Sequence, residues 1–245
     1  MVIRQRAIHA EHKQERHDAL LDAALGLLAR SPDRVPSVAD VADAAGLAKG
    51  TVYLYFPSKE ELLLALHERN MHGFFAALTA LVEGPGPVTL DAMIALTRRH
   101  LIAPPLLLQL AARCFGMMAQ GIPPAAAAEY RQRVSDRLLR AGAGLERHFP
   151  ELGPGGGARL LRHSYALIIG LWQMSEAGGT PCMAAPLPPS MSKAGGPSCM
   201  ALSEPPPPAF AWRYDDELER ALRALWGGSI ERLAAAASNE SGVQP

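Results

Sequence analysis

Apolar positions recur along most of this chain with the 3.6-residue period of a helix, and glycine and proline interrupt them at intervals. Leu20, Leu21, Ala24, Leu25 and Leu28 share one helical face, and Ser31-Pro32-Asp33 ends that segment. Val38, Val41, Ala42 and Ala45 mark a short second helix, opened by a capping box from Ser37 to Asp40. A third short helix is predicted over 49–55, with Pro57 breaking the chain after it. Ser58 and Glu61 form the next capping box, ahead of a longer helix through Leu62 and Leu66. Beyond Gly84-Pro85-Gly86-Pro87 the pattern predicts helices over 89–103, from Pro104-Pro105 towards Met118, from Pro123-Pro124 to Pro150, over 158–176 and over 215–237. No segment alternates with the period of a strand and no repeat is evident, so the expected fold class is all-α.

Composition sharpens this picture in a few places. With 245 residues, 49% of them hydrophobic, the chain can bury a sizeable core. The stretch 178–211 is different: rich in Pro, Gly, Ser and Ala, it cannot bury enough apolar area to order itself and is expected to be a long mobile loop. Formal net charge is zero, from 24 basic and 24 acidic side chains, so charge that serves a nucleic-acid partner has to be local. Cys114, Cys182 and Cys199 make no C-x-x-C pair and no even framework, which fits a reducing cytoplasm. The polar N-terminus has no apolar core of a signal peptide, and no apolar run approaches the roughly 18 residues of a membrane span. A cytoplasmic protein with no membrane partner is expected. His9, His12 and His17 cluster loosely, but their spacing fits no standard ligand set, so neither a metal nor another cofactor is expected.

The segment from Ser37 to Leu62, SVADVADAAGLAKGTVYLYFPSKEEL, carries the functional signal. Two short helices joined by a tight turn need particular residues at particular offsets. Ala42 has to be small because the second of them crosses close by. Gly46 stands at the turn, where a left-handed backbone costs other residues more than glycine. Val41, Leu47 and Val52 are apolar and pin both helices to the first. This spacing is that of a helix-turn-helix, whose second member lies in the major groove of DNA.

At these residues the chain resembles the TetR (tetracycline-repressor-like) family of regulators. The resemblance runs from about Arg16 to Leu66: a first helix ending L-L-A-R, the core A-x-x-A-G-L-A-K-G-T-V-Y-L-Y-F, and the following P-S-K-E-E-L. It implies an N-terminal arm and three-helix helix-turn-helix head over 1–66, including the start of a connecting fourth helix. A larger helical ligand-binding and dimerisation domain is implied over 67–245, containing the loop 178–211. The implied function is a ligand-responsive repressor that binds a palindromic double-stranded DNA operator as a homodimer, with an activator of the same fold as the alternative. By resemblance the DNA-facing positions are Ser37, Val38, Lys49, Gly50, Thr51, Tyr53, Leu54, Tyr55 and Lys59. Lys49 can reach a phosphate or a guanine edge, Thr51 offers a hydroxyl and a methyl, and Tyr53 and Tyr55 offer hydroxyls to phosphates. Lys59 sits beside the free amides of a helix start and makes a second phosphate clamp. Leu54 departs from this polar pattern and can touch at most a thymine methyl. A flexible arm with Arg4, Arg6, Lys13 and Arg16 is expected to supplement base reading, although Glu11 and Glu15 sit among these cations.

The remaining two-thirds of the chain resembles the family only in architecture. Phe115, Met118, Tyr165 and Trp172 have the large apolar side chains that would line a pocket for a small apolar ligand, and they serve equally well as plain core. The last two helices are expected to pair with their copies in a dimer through Leu161, Ile168, Leu218, Leu222 and Leu225, with Gly227-Gly228 interrupting the second stripe. A helical enzyme or adaptor is the rival from another class. No G-x-S-x-G, H-E-x-x-H, P-loop or dinucleotide fingerprint supports an enzyme, and an adaptor would lack DNA affinity.

Overall fold

The computed structural model describes residues 2–31, 34–104, 106–120, 122–175 and 212–240, with only the backbone of 2–11, 115–120 and 231–240. The expected loop 178–211, with Cys182 and Cys199, lies outside the described residues. Among the described residues there is no strand. The helices are α1 (Val2–Arg30), α2 (Val38–Ala45), α3 (Lys49–Tyr55), α4 (Lys59–Glu83), α5 (Leu90–Thr97), α6 (Leu107–Gln120), α7 (Pro124–His148), α8 (Gly156–Met174) and α9 (Tyr214–Glu240). A π-turn over Arg98–Ile102 follows α5, and a 3-10 turn over Pro150–Leu152 follows α7.

Local chemistry accounts for the helix starts. Ser37 and Asp40 form a complete capping box, the Asp40 N–H donating to Ser37 Oγ at 3.2 Å and the Ser37 N–H to Asp40 Oδ2 at 2.9 Å. Ser58 Oγ accepts from the Glu61 N–H at 3.1 Å, and Thr89 Oγ1 from the Ala92 N–H at 3.2 Å. The expected flexible arm is corrected: the backbone carrying Arg4, Arg6, Lys13 and Arg16 is helical from Val2. Nothing between Val2 and Arg30 breaks a helix except a single glycine, and a helix nucleated at Leu20–Leu28 propagates backwards through Ala, Glu, Gln, Lys and Arg at little cost. The Gly227-Gly228 pair likewise fails to interrupt α9.

The chain divides into two compact units, one of 1–80 with 95–137 and one of 81–94 with 138–245. In the first, Leu20, Leu21, Ala24 and Leu28 of α1 form one core with Val38, Val41 and Ala42 of α2, Val52 of α3, Phe56, and Leu62, Leu63 and Leu66 of α4. Leu110 of α6 completes it, with Leu106 packed alongside. Leu106 has φ 71°, a left-handed conformation that costs a side-chain-bearing residue about 1–2 kcal/mol. Its packing on the core offsets that cost.

Polar groups tie α4 to its neighbours in the same unit. Arg69 Nη1 donates to Asp22 Oδ1 of α1 at 2.8 Å. Glu68 accepts a two-point bond from Arg133 of α7 and a third from Arg137, each at 2.9 Å. His67 is buried with Tyr130 Oη 3.2 Å from its Nδ1. Burial pushes the His67 imidazole down to about 4, against a smaller opposing pull from Glu68.

In the second unit α8 packs against α9. Trp226 Nε1 donates to the buried Ser164 Oγ at 3.0 Å, and the Tyr214 hydroxyl donates to the Ile168 carbonyl at 3.1 Å. Leu161, Ile168, Leu218 and Leu222, expected at a subunit interface, are buried within the single chain. Of the five residues expected there, only Leu225 stays half-exposed. Where α7 meets α8 the backbones touch: a Cβ on Gly142 would fall 2.8 Å from Ala158 Cα, and one on Gly157 would fall 2.8 Å from Gly142 Cα.

Two outcomes follow for stability. Gly142→Ala or Gly157→Ala forces backbone apart and should cost about 1–3 kcal/mol, lowering the melting temperature. Gly26→Ala meets only ordinary contact, at 3.9 Å from Arg30, and should stabilise α1 by up to about 1 kcal/mol. The second outcome concerns pH. An unfolded chain protonates His67 near pH 6.5, whereas the folded chain resists until about pH 4. The unfolded state thus binds more protons within that window, so the contribution is full above about pH 6.5 and is lost as pH falls towards 4. Denaturant titrations across this range should show a fall on the order of 3 kcal/mol at most, and His67→Gln should flatten it.

Candidate nucleic-acid interface

The turn between α2 and α3 is set by one backbone conformation. Gly46 has φ 65° and ψ 31°, in the left-handed region, and the Leu47 N–H bonds back to the Ala42 carbonyl at 2.9 Å. That pairing is a Schellman motif, which ends α2 and redirects the chain. Nothing lies within 4 Å of where a Gly46 Cβ would stand, so the need for glycine there is one of backbone angle and not of space. Leu47 and Ala45 pack on the head core from either side of the turn. Arg34 Nη2 reaches Asp40 Oδ2 at 3.0 Å, and hydrogen bonds from Ser37 followed by the Arg34 charge hold the Asp40 carboxyl below its usual range.

α3 then runs for seven residues with its two sides in different surroundings. Val52 is fully buried and Tyr55 packs partly on the core. Lys49, Gly50, Tyr53 and Leu54 are exposed, Tyr53 at 44% and Leu54 at 81%, and Thr51 is half-buried. The Lys49 ammonium lies 5.9 Å from the centroid of the Tyr53 ring, one turn along the same face. Lys59, the first residue of α4, is exposed, with its ammonium 3.7 Å from Glu60 Oε1.

The other expected DNA-facing residues divide in the same way. Ser37 is exposed with its hydroxyl committed to the cap of α2. Val38 is a correction: its side chain is buried in the head core, because it is the first apolar position of α2. His17, in the loose histidine cluster, stacks on Phe56 with ring centroids 5.0 Å apart. Among the described residues no group of three or more His, Cys, Asp or Glu is placed to hold a metal ion, and no helix is long and apolar enough to cross a membrane.

The four residues expected around a ligand are divided between the two units. Tyr165 and Trp172 are half-buried on α8 in the second unit. Phe115 and Met118 belong to α6 in the first, with side chains outside the described residues. A concavity of about 260 Å³ in the second unit is lined by Leu152, Gly156, Arg159, Leu160, His163, Gly228 and Ser229, none of them among those four. Sequence reasoning also missed Leu110, which lies in the head core from far along the chain, and Glu68 and Arg69, whose partners no local pattern reveals.

The geometry at the turn gives a sharp expectation. Gly46→Val places a β-branched residue at φ 65° and should destabilise the head by about 1–2 kcal/mol or more. Gly46→Asn, whose side chain tolerates that conformation and meets open space, should retain most of the stability. Thermal melts of both variants check this; equal losses would mean that side-chain volume matters at the turn.

Comparison with known proteins agrees with this geometry. The family model for bacterial regulatory proteins of the tetR family matches residues 20–66, and that for the tetracyclin repressor-like C-terminal domain matches residues 68–180. The HTH-type transcriptional regulator EthR of Mycobacterium tuberculosis is 39% identical over 79 residues, covering 32% of this chain and 37% of that protein. The HTH-type transcriptional repressor KstR of Mycolicibacterium smegmatis is 30% identical over 116 residues, covering 46% of this chain and 57% of its own length. The chain therefore spans 37% of the first relative and 57% of the second. A crystal structure of a TetR-family transcriptional regulator from Streptomyces coelicolor is similar at a TM-score of 0.49 and 19% identity, covering 88% of this chain and 99% of that one. With a helix-turn-helix closed by Gly46 on a single core, and two abutting family models from residue 20 to residue 180, the chain belongs to the TetR family of transcriptional regulators.

Proposed function

We propose that this chain is a DNA-binding transcriptional repressor that acts in the cytoplasm, without catalytic activity, as a homodimer on a palindromic operator. The observation that carries this reading is α3. It is a short helix held rigidly by Val52 that turns Lys49, Gly50, Tyr53 and Leu54 outwards. Lys49 and Lys59 supply positive charge for phosphates on either side of it, and Thr51 and Tyr55 add hydroxyls at its edge. Four exposed residues on one helix give few base contacts per subunit, which favours two heads on a two-fold operator about one DNA turn apart. A further support for pairing is that α8 and α9, after packing on each other, leave Leu167, Gly170 and Leu225 partly exposed and Met174 exposed at 51%. The curated relative KstR is described as a repressor, which supports that direction of control.

Release from DNA follows from a second state favoured by a small apolar ligand bound in the helical C-terminal region, with Phe115, Met118, Tyr165 and Trp172 as its candidate lining. A ligand changes the equilibrium only by its differential affinity for the two states. In the structure α4 is fastened to α1 through Arg69 and to α7 through Glu68. Any state that moves α4 has to break or re-form those ion pairs, and the head moves with α4 because Leu62, Leu63 and Leu66 belong to the head core.

A gel-shift titration on the promoter of the chain's own gene tests the proposal. Affinity should fall steeply with salt, since bound lysines release counterions from phosphates. Lys59→Ala should weaken all sequences alike and flatten the salt slope by about one unit. Salt-independent binding would remove the phosphate clamp from this account, and an absence of binding to any duplex would remove the DNA-binding reading itself.

A further inference from the structure

Two residues of α3 have no explanation within the fold. Leu54 is 81% exposed, so its side chain contributes almost nothing to the core. Gly50 precedes it by one helical turn and so lies on the same face. Gly50 is not among the glycines of positive φ, and a Cβ placed on it would meet nothing within 4 Å. Neither backbone angle nor packing requires glycine there, and in a helix it is less favourable than alanine by about 1 kcal/mol. Bare backbone beside an exposed leucine forms an uncharged strip without a side-chain donor or acceptor. Lys49, next to Gly50 in sequence, is drawn over the Tyr53 ring, and the exposed Lys59 opens α4. An apolar strip with a cation beside it suits a DNA major groove, where base edges lie between two phosphate rails.

We propose that Leu54 specifies its base pair through the C5-methyl group of a pyrimidine, and that Gly50 provides the clearance that lets Leu54 reach it. This rests on the reading of α3 as the DNA-facing helix. The chemistry is restrictive. A leucine cannot pair with the N7 and O6 acceptors of guanine, the N4 amino group of cytosine, or the N6 amino group of adenine. The one apolar feature that the four standard bases present in the major groove is the thymine methyl. 5-Methylcytosine presents a methyl group at the same ring position, so this strip should accept it as well.

The test uses the full chain. Operators are first selected from a pool of random duplexes, and each thymine is then replaced symmetrically in both half-sites. Two matched comparisons isolate the methyl: thymine against uracil opposite adenine, and 5-methylcytosine against cytosine opposite guanine. At one position per half-site, loss of the methyl should weaken binding about fourfold per half-site in both comparisons, the equivalent of burying one methyl group. Leu54→Ala should still bind and should abolish the difference at that position alone. Gly50→Ala should weaken operator binding more than twofold, although alanine is the better helix former. Wild-type protein that binds a selected operator with no position sensitive to uracil overturns the methyl reading, as does a Leu54→Ala variant that keeps the discrimination. Equal or tighter binding by Gly50→Ala overturns the clearance role. Enrichment of no sequence at all overturns the DNA-facing assignment of α3 and this inference with it.

Discussion

A helix of seven residues has no stability of its own in water, because nucleation costs more than so few hydrogen bonds return. α3 is such a helix, and among its residues only Val52 is fully buried. Its existence therefore depends on the apolar core that α1, α2 and α4 build around that valine. Leu20, Leu21, Ala24 and Leu28 supply one wall, Val38, Val41 and Ala42 another, and Leu62, Leu63 and Leu66 a third. Once Val52 is seated, the opposite face of α3 is relieved of any structural duty. This division of labour explains how Lys49, Gly50, Tyr53 and Leu54 can be exposed on a helix that would otherwise melt. It also explains why the left-handed turn at Gly46 matters: it sets the angle at which Val52 enters the core.

α4 shows a different use of helical geometry. Successive residues on a helix point about 100° apart, so three in a row can serve different neighbours. His67 meets Tyr130, Glu68 meets Arg133 and Arg137, and Arg69 meets Asp22. The Glu68 cluster is partly sheltered, with the Glu68 side chain 15% exposed, and its two-point bond to Arg133 fixes orientation as well as distance. Isolated surface ion pairs are worth little, so the contribution of this set is one of geometry: it fixes how α4 lies on α1 and α7 within the first unit.

The balance of charge over the whole chain hides this local organisation. Many arginines on α4, α7 and α9 are spent on carboxylates, as with Arg69, Arg133, Arg137, Arg140 and Arg223. Lys49 lies over an aromatic ring, and the Lys59 ammonium stands 3.7 Å from Glu60 Oε1. A net charge of zero is thus compatible with a head that presents exposed cations on α3 and at the start of α4.

The sequence by itself determined whatever depends on residues three to five apart. The capping serines, the proline starts, the helical stripes and the left-handed Gly46 are all local, so helix order, the all-α class and the helix-turn-helix were legible before any coordinate. The same locality explains the misreadings. A helix without a breaker looks like a polar arm when its residues are charged, as in α1 before His12. The stripe of Leu218 and Leu222 has the same period whether it meets its own chain or a second copy, so the burial of both residues within the single chain could not be read from it. Leu110 in the head core, the four partners of 67–69 and the backbone contact of Gly142 with Gly157 join residues that are distant along the chain. Such contacts leave no periodic trace in the residues between them, because side-chain burial is settled by which surfaces meet in space. The tertiary structure alone decided them, and through them how rigidly the exposed face of α3 is held.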